Sequence, residues 1–268
     1  MGQSRKIVIS ANHNAVSQET KRILRQKLEQ RGFLVEKELS EDTELIVCVG
    51  GDGALLRTLK KYGFPQIPII GINTGHLGFF QEIMPQDLEL FINRYENRDY
   101  VIQEMTVAKA LIETKKEQTC LLGLNEITIK GDKSRSIHLN LSIDHSFVER
   151  FSGDGLLVAT PAGSTAYNYA LGGCIVDPRL HLLQVTPISP MNTTAYRSFT
   201  SSLLIPPEAC VKIYPEFTFE NSLLVVVDGT EYEFEEIIGI SISFSDKTVK
   251  LLRFEHYDFW NKVKTKFL

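Results

Sequence analysis

The chain has 268 residues, a formal net charge of −4, and 43% apolar and 23% charged residues. This composition is ordinary for a globular protein of one or two domains. The small negative charge excludes a general attraction to nucleic acid or to an anionic membrane, and no apolar run approaches the length of a membrane span. We therefore expect neither as a partner. The four cysteines are isolated, the six histidines show no zinc spacing and the N-terminus lacks an apolar signal core, which predicts a cytoplasmic protein without a structural metal.

The first hundred residues alternate between short apolar runs and amphipathic segments of helical period. Such alternation predicts a parallel sheet with helices packed on it, that is, a Rossmann-like α/β domain. In the first helix, Val16, Ile23, Leu24 and Leu28 form the predicted apolar stripe, and Gly32 follows its end. The predicted strands are 6–10, 33–37, 45–49 and 67–72, and the predicted helices are 17–31, 54–62 and one from Pro85 to Tyr95.

From about Tyr100 the sequence changes to short runs rich in Val, Ile, Leu and Thr, several of which alternate apolar and polar residues. Turn signals such as Asp228-Gly229 and Asp246-Lys247 separate these runs. The pattern predicts a second domain that is rich in β-strands. The predicted strands are 106–114, 121–130, 137–143, 146–151, 155–160, 203–205, 211–214, 223–227, 230–235, 238–245 and 248–254.

The C-terminal tail, from Phe254 to Leu268, is aromatic and basic. Its larger side chains recur at roughly helical spacing, which favours a helix that packs on a domain over a membrane or partner helix. The residues of this stripe are Tyr257, Trp260, Val263, Lys264 and Phe267.

A glycine turn, Gly50-Gly51-Asp52-Gly53, interrupts an apolar strand and leads directly into a helix. Backbone N–H groups at such a turn can face a phosphate, and glycines let the phosphate approach the main chain. Asp52 is the only charged side chain in the turn, and Arg57 lies one helical turn later, within reach of a phosphate. The alternative is an ordinary turn in which Asp52 caps the helix. A second glycine-rich loop, 71–79, also follows a strand.

The adjacent polar residues Asn125 and Glu126 lie inside an apolar strand. An amide beside a carboxylate suits a vicinal diol, because the acid accepts from hydroxyls and the amide donates and accepts. On a regular strand the two side chains would point to opposite faces unless a bulge re-aims one of them. The alternative is a strand-end pair that the backbone satisfies.

The stretch 151–173 contains a second Gly-Asp-Gly, a buried strand, and a Thr-Pro-Ala-Gly-Ser-Thr turn that starts a short helix. The hydroxyl and N–H groups of this turn can hold a polar, planar ligand or a phosphate. The alternative is that Ser164 or Thr165 is a plain N-cap.

Together these motifs resemble a known family. The Gly-Gly-Asp-Gly turn resembles that of NAD kinases, diacylglycerol and sphingosine kinases, and phosphofructokinases. The stretch 151–173, which ends in Gly172-Gly173, is similar to the nicotinamide-dinucleotide site of NAD kinases and absent from the other families. The sequence is identified as a member of the NAD kinase family over nearly its whole length. The resemblance implies an NAD kinase/diacylglycerol kinase-like fold, with an α/β domain of residues 1–99 plus 255–268 and a β-rich NAD-binding domain of residues 100–254.

The resemblance also implies the activity. NAD kinases transfer the terminal phosphate of ATP, or of polyphosphate in some members, to the adenosine 2′-hydroxyl of NAD. Asp52 would be the catalytic base or orienting carboxylate, and Mg²⁺ or another divalent cation would be carried with ATP. Members are homodimers or homotetramers. The binding residues implied are Gly53 and Arg57 near phosphate, Asn125 and Glu126 near ribose, Arg135 near a phosphate, Asp154 near the nicotinamide, Ser152, the pocket wall Thr165, Ala166, Tyr167, Asn168, Tyr169 and Ala170, and Ser189.

Three positions depart from the family pattern. Ala54 replaces a frequent Thr, Ala162 stands where Thr or Ser is usual, and Ser152 stands where Arg is often found. Each change removes one possible polar contact, and Asp52 is retained. The other hypotheses are a lipid or sugar kinase, which would share only the first glycine turn, and an NAD(P)-binding regulator that has lost catalysis.

Overall fold

The computed structural model describes residues 5–76, 78–131, 135–217, 221–254 and 257–268. The chain forms two compact units, Met1–Met105 with Thr248–Leu268, and Thr106–Lys247. The sequence predicted these boundaries after residues 99 and 254, whereas both divisions fall inside long strands. No helix within these described ranges combines the length and the apolar character that a membrane span needs.

Strands and helices alternate in the first part of the chain, and strands dominate the second. In chain order the elements are β1 (Lys6–Ala11), α1 (Ala15–Gln30), β2 (Leu34–Glu36), β3 (Thr43–Val49), α2 (Asp52–Lys61), β4 (Ile69–Ile72), β5 (Gln81–Ile83), α3 (Leu88–Glu96), β6 (Val101–Thr114), β7 (Gln118–Gly123), β8 (Glu126–Gly131), β9 (Ile137–Ile143), β10 (Ser146–Gly153), β11 (Gly155–Ala159), α4 (Tyr167–Ala170), β12 (Leu183–Ile188), β13 (Leu203–Ile205), β14 (Val211–Pro215), β15 (Leu223–Val227), β16 (Thr230–Phe234), β17 (Ile237–Arg253) and α5 (Phe259–Phe267), with 3-10 turns at Pro85–Asp87 and Ala162–Thr165.

The first unit contains a parallel sheet in the order β4-β3-β1-β2, and β5 pairs with β4. Residues 45–49 of β3 are fully buried, because an inner parallel strand is covered on both faces and is therefore apolar throughout. The core of the unit joins this strand to Leu24 and Leu28 of α1 and to Phe91 of α3. This arrangement confirms the predicted Rossmann-like α/β domain.

The first helix begins earlier than predicted because Asn14 caps it. The Asn14 side chain accepts from the Ser17 N–H at 2.8 Å. Leu24 and Leu28 are buried as predicted, but the assignment of Val16 to the apolar stripe is wrong, since this residue is 58% exposed. Gly32 lies just after the helix with a φ of +84°, the left-handed conformation that commonly ends a helix.

The second unit is built mainly from antiparallel strands. One sheet has the order β13-β12-β11-β8-β15-β16, and another part of the unit pairs β10, β9, β14 and β17 in that order. Ile127 and Leu156 of the first set share a core with Leu139 and Val211 of the second. Strands that bury one face against a second sheet form such a common core. The β-rich character of the second domain is therefore confirmed.

Three strand predictions in this region are wrong in detail. The predicted strand 121–130 is interrupted after Gly123. Strand β12 was not predicted; it contains Pro187, which pairs with Leu156 of β11. The predicted turn at Asp246-Lys247 is absent, because β17 runs unbroken through these described residues with both of them exposed. A turn signal of this type is overridden where the strand continues to pair on either side.

Candidate active site

The glycine turn places Asp52 at the first position of a helix. β3 ends at Val49, Gly51 is the N-cap residue of α2, and Asp52 follows it. The alternative that Asp52 itself caps the helix is therefore excluded. Gly50 adopts a φ of +156°, and its N–H donates to the carbonyl of Ile72 at 2.9 Å. This bond ties the turn to the end of the neighbouring strand and leaves the Asp52 side chain for other partners.

Both carboxylate oxygens of Asp52 accept backbone hydrogen bonds from the loop that follows β4. The N–H of Phe79 donates to Oδ2 at 2.9 Å, and the N–H of Phe80 donates to Oδ1 at 3.0 Å. Gly78 permits this approach, since a Cβ there would lie 2.3 Å from Oδ1. Each oxygen retains a second lone pair, so the carboxylate is oriented and can still accept a proton. Leu77 of the predicted loop lies outside the described residues.

Arg57 lies on the exposed side of α2, one turn after Asp52. Its Nη2 donates to Asn12 Oδ1 at 3.2 Å, and a Cβ on the exposed Gly53 would lie 3.4 Å from Arg57 Nη1. Gly53 and Arg57 are therefore neighbours, as their predicted shared role at a phosphate requires. The small side chain of Ala54 is buried.

A cavity of about 580 Å³ opens beside Arg57. It lies at the carboxyl ends of β1 and β2 and against α2, near the point between β1 and β3 where the strand order reverses, which is where α/β sheets bind ligands. Two of its cations are ion-paired, since Lys61 Nζ lies 3.0 Å from Glu38 Oε2 and Arg25 Nε lies 2.8 Å from Glu29 Oε1. The basic lining residues are Lys21, Arg25, Lys37, Arg57 and Lys61. Their excess over the lining acids Glu36 and Glu38 favours an anionic ligand.

In the second unit, Asp228 shapes the backbone that carries Asn125 and Glu126. Its carboxylate accepts from the N–H groups of Leu124 and Asn125 at 2.7 Å each and from that of Glu126 at 3.3 Å. In the segment that joins β7 to β8, these bonds take the place of strand pairing. The chain therefore bends where the two polar residues occur. A bend can re-aim one of two adjacent side chains, which on a regular strand point to opposite faces.

The side chains of Asn125 and Glu126 are buried with unused hydrogen-bonding capacity. Asn125 is 7% and Glu126 is 8% exposed. Asn125 Oδ1 and Glu126 Oε2 have no hydrogen-bond partner among the described residues. The alternative of a strand-end pair satisfied by the backbone is therefore excluded for these atoms. Buried polar atoms are normally paired, so the two oxygens indicate a ligand site.

Burial, together with the nearby Asp228 carboxylate, raises the pKa of Glu126 from 4.5 to about 8. The carboxyl is therefore mostly protonated at neutral pH. Protonated, it can donate one hydrogen bond and accept others, which suits a pair of ribose hydroxyls. A charged Glu126 carboxylate at this depth would lose its hydration without an ion-pair partner to offset the cost.

Glu126→Gln is expected to change the pH dependence of stability. Because the folded-state pKa is raised, the contribution of Glu126 is fully present below about pH 4.5 and is lost as pH rises towards about 8. Glutamine stays neutral, so the variant should exceed the wild type in unfolding free energy above pH 8 by about 2–4 kcal/mol. Urea unfolding at pH 5, 7 and 8.5 measures this, with the exposed Glu231→Gln as control. An identical pH profile for wild type and Glu126→Gln would contradict the assignment.

The Thr-Pro-Ala-Gly-Ser-Thr turn packs directly on Asn125. The N–H of Thr160 donates to the Asn125 carbonyl at 2.9 Å, and Thr160 Oγ1 donates to the Leu124 carbonyl at 2.5 Å. A Cβ on Gly163 would lie 2.0 Å from the same Asn125 carbonyl oxygen. The structure thus brings two separate sequence motifs together in one unit.

The short helical region after this turn has an inner and an outer side. Ser164 Oγ donates to the Pro161 carbonyl at 2.7 Å, and the N-cap positions belong to Pro161 and Ala166. The alternative that Ser164 or Thr165 is an N-cap is therefore excluded. Thr165 is buried, Ala166 is half-buried, and Tyr167, Tyr169 and Ala170 are exposed.

Asn168 belongs to the inner side. Its Oδ1 accepts from Thr186 Oγ1 at 2.7 Å, and its Nδ2 donates to the carbonyls of Ser164 and Cys174 at 3.4 and 3.3 Å. Protein groups thus hold the amide of Asn168 in place, and its part in the pocket wall stays a prediction.

The remaining predicted residues lie around the end of β10. Asp154 is exposed between β10 and β11, and its N–H donates to the Ile188 carbonyl at 2.9 Å. Ser189, the residue after Ile188, is exposed with a φ of +46°. Ser152 is buried, and its N–H donates to Ser198 Oγ at 3.1 Å. Asp154 and Ser189 are thus brought together, whereas Arg135 is exposed next to residues that the structure does not describe.

Comparison with known proteins identifies the family. Residues 3–100 match the ATP-NAD kinase N-terminal domain, and residues 124–254 match the ATP-NAD kinase C-terminal domain. The chain is 38% identical over 273 aligned residues to the NAD kinase of Finegoldia magna, with full coverage of both chains. The chain belongs to the NAD kinase family. It is also 33% identical to the NAD kinase of Lactobacillus johnsonii over 235 residues, covering 85% of each chain.

Solved structures agree with this NAD kinase assignment. An NAD kinase from Archaeoglobus fulgidus, determined in complex with ATP, has a TM-score of 0.77 and 26% identity, covering 98% of this chain and 99% of that one. The yeast NADH kinase, determined with NADH, has a TM-score of 0.86 over 99% of this chain and 88% of that one, and its 18% identity supports the fold alone. The predicted fold and enzyme class are confirmed, and a lipid or sugar kinase is not favoured.

Three groups at this NAD kinase site were missed from the sequence. The N–H groups of Phe79 and Phe80 orient Asp52, and the Asp228 carboxylate orients the Asn125-Glu126 segment. The glycine-rich loop before Phe79 was a usable signal for the first two. Asp228 was visible only as a hairpin turn residue. A side chain that accepts hydrogen bonds from distant backbone N–H groups has no sequence pattern of its own.

Proposed function

We propose that this NAD kinase transfers the terminal phosphate of ATP or polyphosphate to the adenosine 2′-hydroxyl of NAD, with Asp52 as the base. The bond between the γ-phosphorus and its bridging oxygen breaks, a bond from that phosphorus to the 2′-oxygen forms, and the hydroxyl proton passes to Asp52. The observation that carries the proposal is the pair of buried, unpartnered oxygens on Asn125 and Glu126 in a chain that belongs to this family.

Asp52 fits the role of base because its position is fixed before substrate binds. The two backbone N–H groups hold both carboxylate oxygens in one orientation, and an oriented general base contributes about 10²- to 10⁴-fold to a proton-transfer step. In phosphoryl transfer most of the acceleration comes from positioning and charge stabilisation, so a preoriented carboxylate serves both needs.

On the NAD side, we assign Asn125 and Glu126 to the ribose hydroxyls. The protonated Glu126 donates to one hydroxyl oxygen, and Asn125 Oδ1 accepts from the other hydroxyl, which satisfies both buried groups. Asp154, Thr165 and the exposed Tyr167 are assigned to the nicotinamide end. Thr165 is supported by the hydrogen bond that joins its turn, 160–165, to Asn125.

On the donor side, we assign Gly53 and Arg57 to the phosphates and the neighbouring cavity to the rest of the donor. The cavity volume of about 580 Å³ is in the range of sites that hold a nucleotide-sized molecule. Mg²⁺ or another divalent cation enters with the donor as part of the substrate and neutralises phosphate charge. Arg57 supplies a protein cation beside Gly53 of the glycine turn.

The proposal is tested by incubating the full chain with NAD, Mg²⁺ and either ATP or polyphosphate, and by measuring NADP with an NADP-specific dehydrogenase. NADP formation with at least one donor is expected, and the two reactions side by side identify the donor. Folded protein that binds NAD and produces no NADP with either donor would overturn the proposal in favour of the regulator hypothesis. The cytoplasmic location and the homo-oligomeric state, dimer or tetramer, stay predictions.

A further inference from the structure

Two peptide groups stand between Asp52 and the side chain of Lys262. The peptide group of Gly78 and Phe79 donates its N–H to Asp52 Oδ2, and its carbonyl accepts from Lys262 Nζ at 3.3 Å. The peptide group of Phe79 and Phe80 donates its N–H to Asp52 Oδ1, and its carbonyl accepts from Lys262 Nζ at 3.4 Å. Each peptide group is therefore bonded to a cation at one end and to the catalytic carboxylate at the other.

Arg253 binds the same loop from the end of β17. Its Nη2 donates to the Phe79 carbonyl at 3.4 Å and its Nη1 to the Phe80 carbonyl at 3.0 Å. The residue is only 3% exposed, and its guanidinium lies 3.6 Å from the ring centroid of Tyr257. Its Nε donates to Gln103 Oε1 at 2.9 Å. These contacts hold the guanidinium rigidly under the loop.

Helix α5 closes over the loop from outside. The Phe79 ring lies 5.7 Å from that of Phe259 and 6.0 Å from that of Phe267, centroid to centroid. Lys262 lies on the same helix and also donates to the Gln81 carbonyl. The predicted tail helix is thus present, although Trp260 of its predicted stripe is 51% exposed and Tyr257 precedes the helix.

We propose that Lys262, assisted by Arg253, is a positioning residue for catalysis, acting on Asp52 through the two peptide groups of residues 78–80. This inference rests on the proposed function, since it concerns the base of that reaction. The C-terminal segment then has a catalytic purpose that its sequence does not reveal, because it orders the loop that holds the carboxylate.

The physical basis is polarisation of the bridging peptides. A cation on a carbonyl oxygen withdraws electron density from the peptide group and strengthens its N–H as a donor, so hydrogen bonds in such a chain reinforce one another. Bonds to charged groups are also stronger than neutral ones. Removing the cation weakens both bonds to Asp52 and lets the carboxylate rotate, and small misplacements of a catalytic group cost about 10²-fold in rate.

The surroundings of Lys262 make its charge sensitive to pH. Burial, together with the neighbouring Arg253, lowers the pKa of Lys262 from 10.5 to about 8. Lys262 is therefore charged below about pH 8 and neutral above it, so the support of Asp52 weakens on the alkaline side. The groups that face Lys262 are Arg253, Glu82, Asp52, Lys266 and the ring of Tyr257.

The test compares Lys262→Gln, Lys262→Arg and the control Lys264→Gln, which changes an exposed lysine of the same helix. Lys262→Gln is expected to lower kcat by about 10- to 100-fold with the KM for NAD unchanged. Lys262→Arg should restore most of the activity and, because guanidinium stays charged, should move the alkaline fall in kcat to higher pH. Lys264→Gln should match the wild type.

The outcomes separate the two proposals. If the wild type makes no NADP, the proposed function fails. If the wild type is active and Lys262→Gln has the same kcat, or if Lys262→Arg leaves the alkaline fall in place, the positioning role of Lys262 is overturned. If Lys262→Gln does not fold, as judged by its melting transition, the pH profile of Lys262→Arg decides alone.

Discussion

Replacing Asp52 with asparagine is expected to lower kcat for NADP formation by about 10²- to 10⁴-fold and to leave the affinity for NAD within a few-fold of the wild-type value. The variant loses the proton acceptor. It also places an amide NH₂ against one of the two N–H groups, of Phe79 and Phe80, that now donate to the carboxylate. Both effects act on the reaction step, whereas Asn125 and Glu126, which we assign to NAD, are unchanged.

The measurement is steady-state kinetics with NAD and the better donor, together with calorimetric titration of NAD. Asp42→Asn is the matched control, because Asp42 is an exposed aspartate of the same unit that contacts only Lys6, at 3.4 Å, through its side chain among the described residues. A turnover of Asp52→Asn within threefold of the wild type would contradict the base role. A loss of NAD affinity that matches the loss of kcat would show that Asp52 binds NAD instead.

Replacing Asp228 with alanine is expected to destabilise the protein and to weaken NAD binding together. Three backbone N–H groups, of Leu124, Asn125 and Glu126, lose their acceptor. Each buried donor left without a partner costs about 1–3 kcal/mol. Removal of the buried Asp228 carboxylate, whose burial raises its pKa, offsets part of this cost, so a net loss of about 3 kcal/mol is expected, which corresponds to about 6–12 °C in Tm.

The effect on NAD follows from the bend that Asp228 holds. Without it, Asn125 and Glu126 are expected to approach the alternating geometry of a regular strand, in which they cannot face one ligand. The KM for NAD should rise by about 10-fold or more, a loss of about 1.4 kcal/mol in binding, and the pKa of Glu126 should fall, because Asp228 is one of the two causes that raise it.

Asp144→Ala is the matched control for Asp228→Ala. Asp144 is also an aspartate with positive φ in a hairpin turn, with a φ of +54° against +47° for Asp228. Its Oδ1 accepts a single N–H, from Cys210 at 2.9 Å, and the residue is exposed. Differential scanning calorimetry and NAD titration of both variants decide the matter. Equal changes in Tm for the two variants, or an unchanged NAD affinity in Asp228→Ala, would contradict the role assigned to Asp228.

The first unit shows how far local sequence patterns carry. Residues 45–49 are uniformly apolar because an inner parallel strand is buried on both faces, and the glycines after them mark the turn. Both features depend on a few consecutive residues, so they can be predicted. The start of α1 could not, because its cap is the Asn14 side chain, and the exposure of Val16 depends on which face of the helix meets the sheet.

In the second unit, the strand count was less predictable. The break after Gly123 depends on a carboxylate 104 residues further along the chain from Leu124. The unbroken course of β17 through Asp246 and Lys247 depends on strands that pair with it on either side. Strand propensity is decided largely by such neighbours, which a single sequence does not display.

The sequence by itself determined the α/β and β-rich organisation and the family, and it singled out the carboxylate that we propose as the base, because these depend on periodicity and on short motifs. Only the tertiary structure decided what holds Asp52 and Glu126 in place. Asp52 is oriented by N–H groups 27 and 28 residues away, and those peptides are bound in turn by Lys262, which is 184 residues beyond Gly78. Backbone groups make these bonds, and every residue except proline carries the same N–H. Their participation therefore becomes visible only when the folded chain brings them to a side chain.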